Sequence, residues 1–140
     1  MRFYFLYQNF TQFKMKIFLI VPLFISVLSV SAQKIVFEKT KHNFGYLQKG
    51  DIDTMYFKFK NEGNNPLIIT ETKVECSCTE VKFPKDPIAP GSGGEIVVIY
   101  DSKGAIGYQD RSVTIVSNSR KGDNKIHFKG EVLAKKKSGF

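Results

Sequence analysis

The run Asp51-Ile52-Asp53-Thr54-Met55-Tyr56-Phe57-Lys58-Phe59-Lys60 places Met55, Phe57 and Phe59 on one side of an extended chain, and Thr54, Tyr56, Lys58 and Lys60 on the other. Successive strand side chains point to opposite faces, so this alternation marks a strand with one buried face. Asn61-Glu-Gly-Asn-Asn-Pro66 stops it with residues suited to a reversal, and the chain resumes as a strand from Leu67 to Glu75. Before it, Lys34–Glu38 alternates around Ile35 and Phe37. After it, Pro87–Gly94 is a second turn region leading into Glu95-Ile-Val-Val-Ile-Tyr100, whose continuous apolar run predicts a central strand covered on both sides. Gly104 and Gly107 mark a loop. Val113, Ile115 and Val116 carry the next strand, and the last turns Ile126, Phe128, Gly130 and Val132 inward against Lys125, His127, Lys129 and Glu131. No long stretch shows the apolar spacing of three and four that a helix needs. The expectation is all-β: a two-sheet antiparallel sandwich of immunoglobulin-like type, with seven or eight short strands over residues 33–134.

The chain has 140 residues and a formal charge of +8, but the basicity belongs to its ends. Arg2, Lys14 and Lys16 precede residue 33, leaving 18 basic against 13 acidic residues. Lys135, Lys136 and Lys137 fall in a terminal run, residues 135–140, read as a basic flexible tail. The remaining body carries only +2, which argues against a nucleic-acid face. Lys14 and Lys16 also precede an apolar run from Ile17 to Val30, shorter than the roughly 18–20 residues a membrane span requires. It ends in Val30-Ser31-Ala32, so residues 1–32 read as a signal peptide cleaved after Ala32. Met15 begins a conventional n-region by itself, making residues 1–14 an alternative upstream extension. The expected product starts at Gln33, has no membrane span after cleavage, and is extracytoplasmic, either periplasmic or secreted.

Several phrases occur in a telling order: His42-Asn-Phe-Gly-Tyr-Leu-Gln-Lys-Gly50, Phe57-Lys-Phe-Lys-Asn-Glu-Gly63, Pro66-Leu-Ile-Ile69, Cys76-Ser-Cys-Thr79, Ala89-Pro-Gly91 and Ser117-Asn118. Together they resemble the secreted bacterial family called domain of unknown function 1573, over about residues 35–132. That family is similar to the major-sperm-protein and Hydin-type immunoglobulin-like domains. The resemblance implies a β-sandwich and no activity. Where the family often has Cys-Gly-Cys, this chain has Cys76-Ser77-Cys78, which makes a sharp turn there harder.

Most of these residues have structural readings. Gly45, Gly50, Gly63 and Gly91 suit chain reversals, and Phe44 and Phe57 supply core volume. Gly91-Ser-Gly-Gly94 lacks the Lys-Ser/Thr of a phosphate loop and precedes a strand. The only histidines are His42, read at a turn, and His127, read on a solvated face. Neither has a motif that makes it a base, and Glu71 and Glu75 read as solubilising charges. No cofactor and no metal motif is expected.

Chemistry is left to Cys76 and Cys78, the only cysteines of a chain sent to an oxidising compartment. Strand parity puts Ile68, Thr70, Thr72, Val74, Cys76 and Cys78 on one face, turned toward the core or its rim, with a bend just after Cys78 to accommodate Val81 and Phe83. Two residues apart in a regular strand, their Cα atoms would be roughly 6.4–6.8 Å apart, the upper limit for a disulfide. Three states stay open: packed thiols, a strained and possible redox disulfide, and metal ligation. The functional expectation is a non-enzymatic binding or scaffolding module that meets another envelope or extracellular protein through a strand edge or surface. The alternative is a thiol redox or metal-handling protein using the Cys-x-Cys pair.

Overall fold

A computed structural model describes residues 33–135. The signal peptide read at 1–32, its alternative start at 1–14, and all of the tail but Lys135 lie outside the described residues. Eight strands follow one another: β1 (Ile35–Phe37), β2 (Lys41–Gln48), β3 (Ile52–Asn61), β4 (Ile69–Val74), β5 (Thr79–Lys82), β6 (Gly93–Asp101), β7 (Gly107–Ser117) and β8 (Asn124–Leu133). The described residues hold no α-helix, only a single 3-10 turn at Ser102–Gly104. One sheet has the order β1-β3-β6-β5 and the other β2-β8-β7-β4, the two-layer sandwich expected from the alternation.

Alternation in β3, β6 and β8 does what it predicts. Met55, Phe57 and Phe59 meet Ile96, Val98 and Tyr100 of β6, and these face Val113, Ile115, Ile126, Phe128 and Val132 from the other sheet. At the centre, Tyr100 and Phe128 have ring centroids 5.3 Å apart, and Phe44 stacks on Tyr100 at 5.7 Å. β6 is central within its sheet, between β3 and β5. Its outer residues Val97 and Ile99 are only half-buried, because a two-layer sandwich has nothing to cover that face.

Three further expectations change. The segment around His42 and Gly45 is not a turn but strand β2, and it runs parallel to β8, from Lys41 opposite His127 to Gln48 opposite Leu133. The sandwich is therefore not wholly antiparallel. Gly45 serves a β-bulge: the register slips between Asn43 and Gly45, Gly45 adopts φ +68°, and Asn43 Oδ1 accepts from Gly45 N at 2.9 Å. Gly130 lies opposite, and its missing side chain leaves room for the Phe44 ring. Along the segment from Leu67 through β4, Leu67 and Ile69 point inward while Ile68 and Val74 are exposed, the reverse of the predicted parity. The bridge from Leu67 to Ile88 fixes Leu67 in the core, and a further register slip between Ile69 and Glu71 separates the two halves of the segment.

Polar side chains brace the connections. Buried Asn61 donates from Nδ2 to Asn65 O (2.8 Å) and Ile88 O (2.9 Å), while its Oδ1 accepts from Gly63 N (2.9 Å). Ser102 Oγ accepts from Gly50 N at 3.0 Å and lies 2.8 Å from Asp51 O and 3.1 Å from Gln48 O. Both ends of the β2–β3 turn are thereby tied to the end of β6.

Candidate functional site

Cys76 and Cys78 lie in the turn that carries the chain from β4 in one sheet to β5 in the other, and they form a disulfide. Their Cα atoms are 5.2 Å apart, closer than a regular strand allows, because the chain turns through the cysteines themselves and not just after them. Both residues are half-buried, and only Cys78 packs against the core. The parity placing both on an inward face of one continuous strand does not hold. The turn has its own hydrogen bonds: Thr79 N donates to Cys76 O (3.3 Å) and Asp101 N to Cys78 O (2.9 Å). Thr79, nearly buried, sets its Oγ1 3.6 Å from Cys76 Sγ and 3.8 Å from Cys78 Sγ.

Cys78 also lines an open groove of about 580 Å³ together with Ile52, Ser77, Glu80, Ile99 and Lys103. Ile52 is 64% exposed, so its apolar surface has no cover within the fold. A bond across two positions closes almost no loop. Chain entropy assigns it on the order of 1.5 kcal/mol, against about 4.7 kcal/mol for a loop of ~100 residues.

The second feature lies at the opposite end of the other sheet. β2 is a terminal strand, paired with β8 on one side only. His127 N donates to Thr40 O at 2.8 Å, and Lys41 is the residue opposite His127. In a parallel ladder this turns the N–H and C=O of Lys41 away from β8, toward the open side. On the adjoining outer face, Tyr46 and Tyr108 stand on either side of Glu131, each opposite it in register, and are 72% and 65% exposed. They line a depression of about 200 Å³ with Asn43, Gly130 and Glu131. Sequence reading missed this pair, since residues 46 and 108 become neighbours only through β8.

With that geometry in place, a family model described as protein of unknown function (DUF1573) matches residues 35–132. The chain belongs to this family. The DUF1573 domain is similar in fold to a protein of unknown function from Porphyromonas gingivalis W83, with a TM-score of 0.64 and 16% identity over 76% of this chain and 50% of that one. It is also similar to the secreted serine protease VesC of Vibrio cholerae (TM-score 0.54, 16% identity, 74% of this chain and 24% of that one). A third likeness is to an ASH/PapD-like domain of human CEP192 (TM-score 0.59, 7% identity, 75% of this chain and 89% of that one). At these identities the likeness is one of fold. The chain spans half of the Porphyromonas protein and about a quarter of the Vibrio protease. Comparison with curated proteins gives no match.

The histidines of the DUF1573 domain are not near its cysteines in any shared site. His42 lies on the inner side of β2, edge-on to Phe57 at 6.4 Å, with Nε2 3.9 Å from Asp53 Oδ2 across the two sheets. His127 faces outward and lines a depression of about 300 Å³ with Lys41, His42, Asp110 and Lys129. Ser112 is opposite His127, but its Oγ donates to Glu75 Oε1 at 2.6 Å. That hydrogen bond holds the Glu75 carboxyl below its ordinary value, and it leaves the serine hydroxyl bound to Glu75 and not to His127. Burial raises the Tyr100 hydroxyl above its usual range. Among the described residues, no three His, Cys, Asp or Glu side chains gather as a metal site would require.

Proposed function

We propose that the protein is an extracytoplasmic, non-enzymatic binding module that takes an extended, acidic segment of another envelope protein along the open edge of β2. The observation that carries this reading is the one-sided pairing of β2 beside exposed Tyr46 and Tyr108. An edge strand offers unpaired N–H and C=O groups to an added strand, and neighbouring side chains select it. Tyrosine suits such a contact, with a broad apolar ring and a polar tip. β2 contains no acidic residue, and Lys39, Lys41, Lys49 and Lys129 on or beside it outnumber Glu131 and Asp110 of the adjoining face, so the matching segment is negatively charged. The bulge at Asn43–Gly45 divides the edge into two short stretches, which restrains indiscriminate pairing. The apolar run from Ile17 to Val30 and the cleavage signal ending at Ala32 support export, and a Ser112 hydroxyl held by Glu75 and not by His127 supports a non-catalytic role.

The test is site-specific photo-cross-linking in the native envelope, with the probe at Tyr46 or, for comparison, at Lys82 of β5. One protein should be captured through position 46 and not through 82, and a synthetic acidic peptide from its cross-linked segment should bind the purified domain. Equal capture at both positions, or peptide binding unaffected by Lys41→Pro, overturns the reading. The recovered protein should have the mass of a chain starting at Gln33. Finding residues 15–32 still attached would overturn the assignment to the outside of the cytoplasm.

A further inference from the structure

We propose that Cys76–Cys78 is a thiol-exchange site for a cysteine borne on an apolar stretch of another polypeptide. Four observations converge on it. The bond closes a loop of almost no length, in a turn already held by the hydrogen bonds of Thr79 N and Asp101 N, so it does little for the fold. Cys78 lines the open groove and Cys76 does not, so a polypeptide seated in the groove approaches the disulfide from the Cys78 side. Beside it the groove presents Ile52 and Ile99, an apolar surface suited to residues flanking a polypeptide cysteine, among the charged Glu80, Asp101 and Lys103. Finally, Thr79 Oγ1 has only the two sulfurs as hydrogen-bond partners among the described residues, and its hydroxyl can donate to whichever leaves as thiolate.

The exchange balances without further reagents. The partner's thiolate forms a bond to Cys78 Sγ, the Cys76–Cys78 bond breaks, and its electron pair stays on Cys76 Sγ, where Thr79 donates a hydrogen bond. A second thiolate of the partner then attacks the partner sulfur of the mixed disulfide and releases Cys78. The domain is left with two thiols, after protons arrive from solvent, and the partner with a disulfide. A partner with a single thiol stays covalently attached until Cys76 returns to Cys78 and expels it. Thr79 is a positioning residue in this scheme. The site does not depend on the β2 reading: β4 and β5 terminate the two sheets at the end away from β2, so either proposal can fail alone.

The experiment uses the mature protein, a leucine-flanked cysteine peptide and glutathione, with products identified by intact mass after alkylation. The oxidised wild type should form a mixed disulfide with the peptide at Cys78, freeing Cys76 for alkylation, while its circular dichroism is unchanged, and faster than with glutathione at equal thiolate concentration. With the peptide's symmetrical disulfide as probe, Cys76→Ser should form a mixed disulfide at Cys78 about tenfold faster than Cys78→Ser does at Cys76. Thr79→Val should move the pH profile of Cys76 alkylation in the reduced protein to higher pH. A wild-type disulfide that yields only after unfolding overturns the exchange, and equal rates in the two serine variants overturn the assignment to Cys78. Equal rates of mixed-disulfide formation with peptide and glutathione overturn the apolar partner, and an unmoved pH profile overturns the role of Thr79.

Discussion

Replacing Gly130 by alanine isolates the contact that seats β2 on the sandwich. Gly130 is not among the residues with positive φ, so its backbone admits alanine, and such a change elsewhere adds ~0.4–1 kcal/mol by restricting the unfolded chain. Here a Cβ would overlap the Phe44 ring and come within 2.7 Å of Gly45 O. The ring would have to swing away, losing its contacts with Tyr100 (5.7 Å) and Phe128 (6.5 Å). Such aromatic pairs contribute about 0.5–1.5 kcal/mol each, and the Gly45 carbonyl belongs to a strand that cannot shift independently. The net cost should be roughly 2–4 kcal/mol, lowering Tm by about 10–25 °C for a domain of this size. Urea unfolding at constant m-value measures it. Gly104→Ala is the control, with nothing within 4 Å of its Cβ and no positive φ, and should change stability by less than about 0.5 kcal/mol. In a Phe44→Ala background the Gly130→Ala cost should fall by at least ~1 kcal/mol, since the clashing ring is gone. A cost below about 0.5 kcal/mol, or one equal in both backgrounds, refutes the packing of Phe44 over Gly130.

Asn61→Ala leaves the buried Gly63 N–H without its acceptor and removes both donors that brace the β3–β4 loop, so it should cost about 2–4 kcal/mol in the same unfolding assay. Tyr100→Phe deletes a buried hydroxyl that has no hydrogen-bond partner, and should be neutral or stabilise by up to ~1 kcal/mol while leaving the ring contacts intact. Glu75 has a folded pKa depressed by the Ser112 hydroxyl, so its contribution is present above the ordinary carboxylate value and lost as pH falls through the folded value. Ser112→Ala should move the Glu75 midpoint upward in an NMR titration, and an unchanged midpoint would show that the hydrogen bond is absent in solution.

Residues whose environment is set within one strand were the legible ones. Phe57, Ile96 and Phe128 alternate with polar neighbours, and that pattern is enough to assign their faces. What failed depends on pairing. His42 and Gly45 look like a turn because glycine signals one, yet the same positive φ also serves a bulge, and only β8 alongside distinguishes the two. A parallel partner is invisible to patterning, since the alternation of one strand carries no information on its neighbour's direction. Cys76 and Cys78 stand out in the sequence as the only cysteines, but counting parity from Ile68 could not register the slip after Ile69 or the turn from Glu75 to Cys78. Tyr46 and Tyr108 share a surface only because both face Glu131.

The most direct test of the central claim is amide hydrogen exchange, read residue by residue, on the purified domain with and without the acidic peptide recovered by cross-linking at Tyr46. An added strand would hydrogen-bond the outward amide of Lys41 and leave the β8 ladder as it was. The account predicts new protection at Lys41, with β5 amides such as Val81 unchanged. Protection that appears at β5 instead, or none at Lys41 with peptide at saturation, contradicts the open edge of β2 as the binding surface.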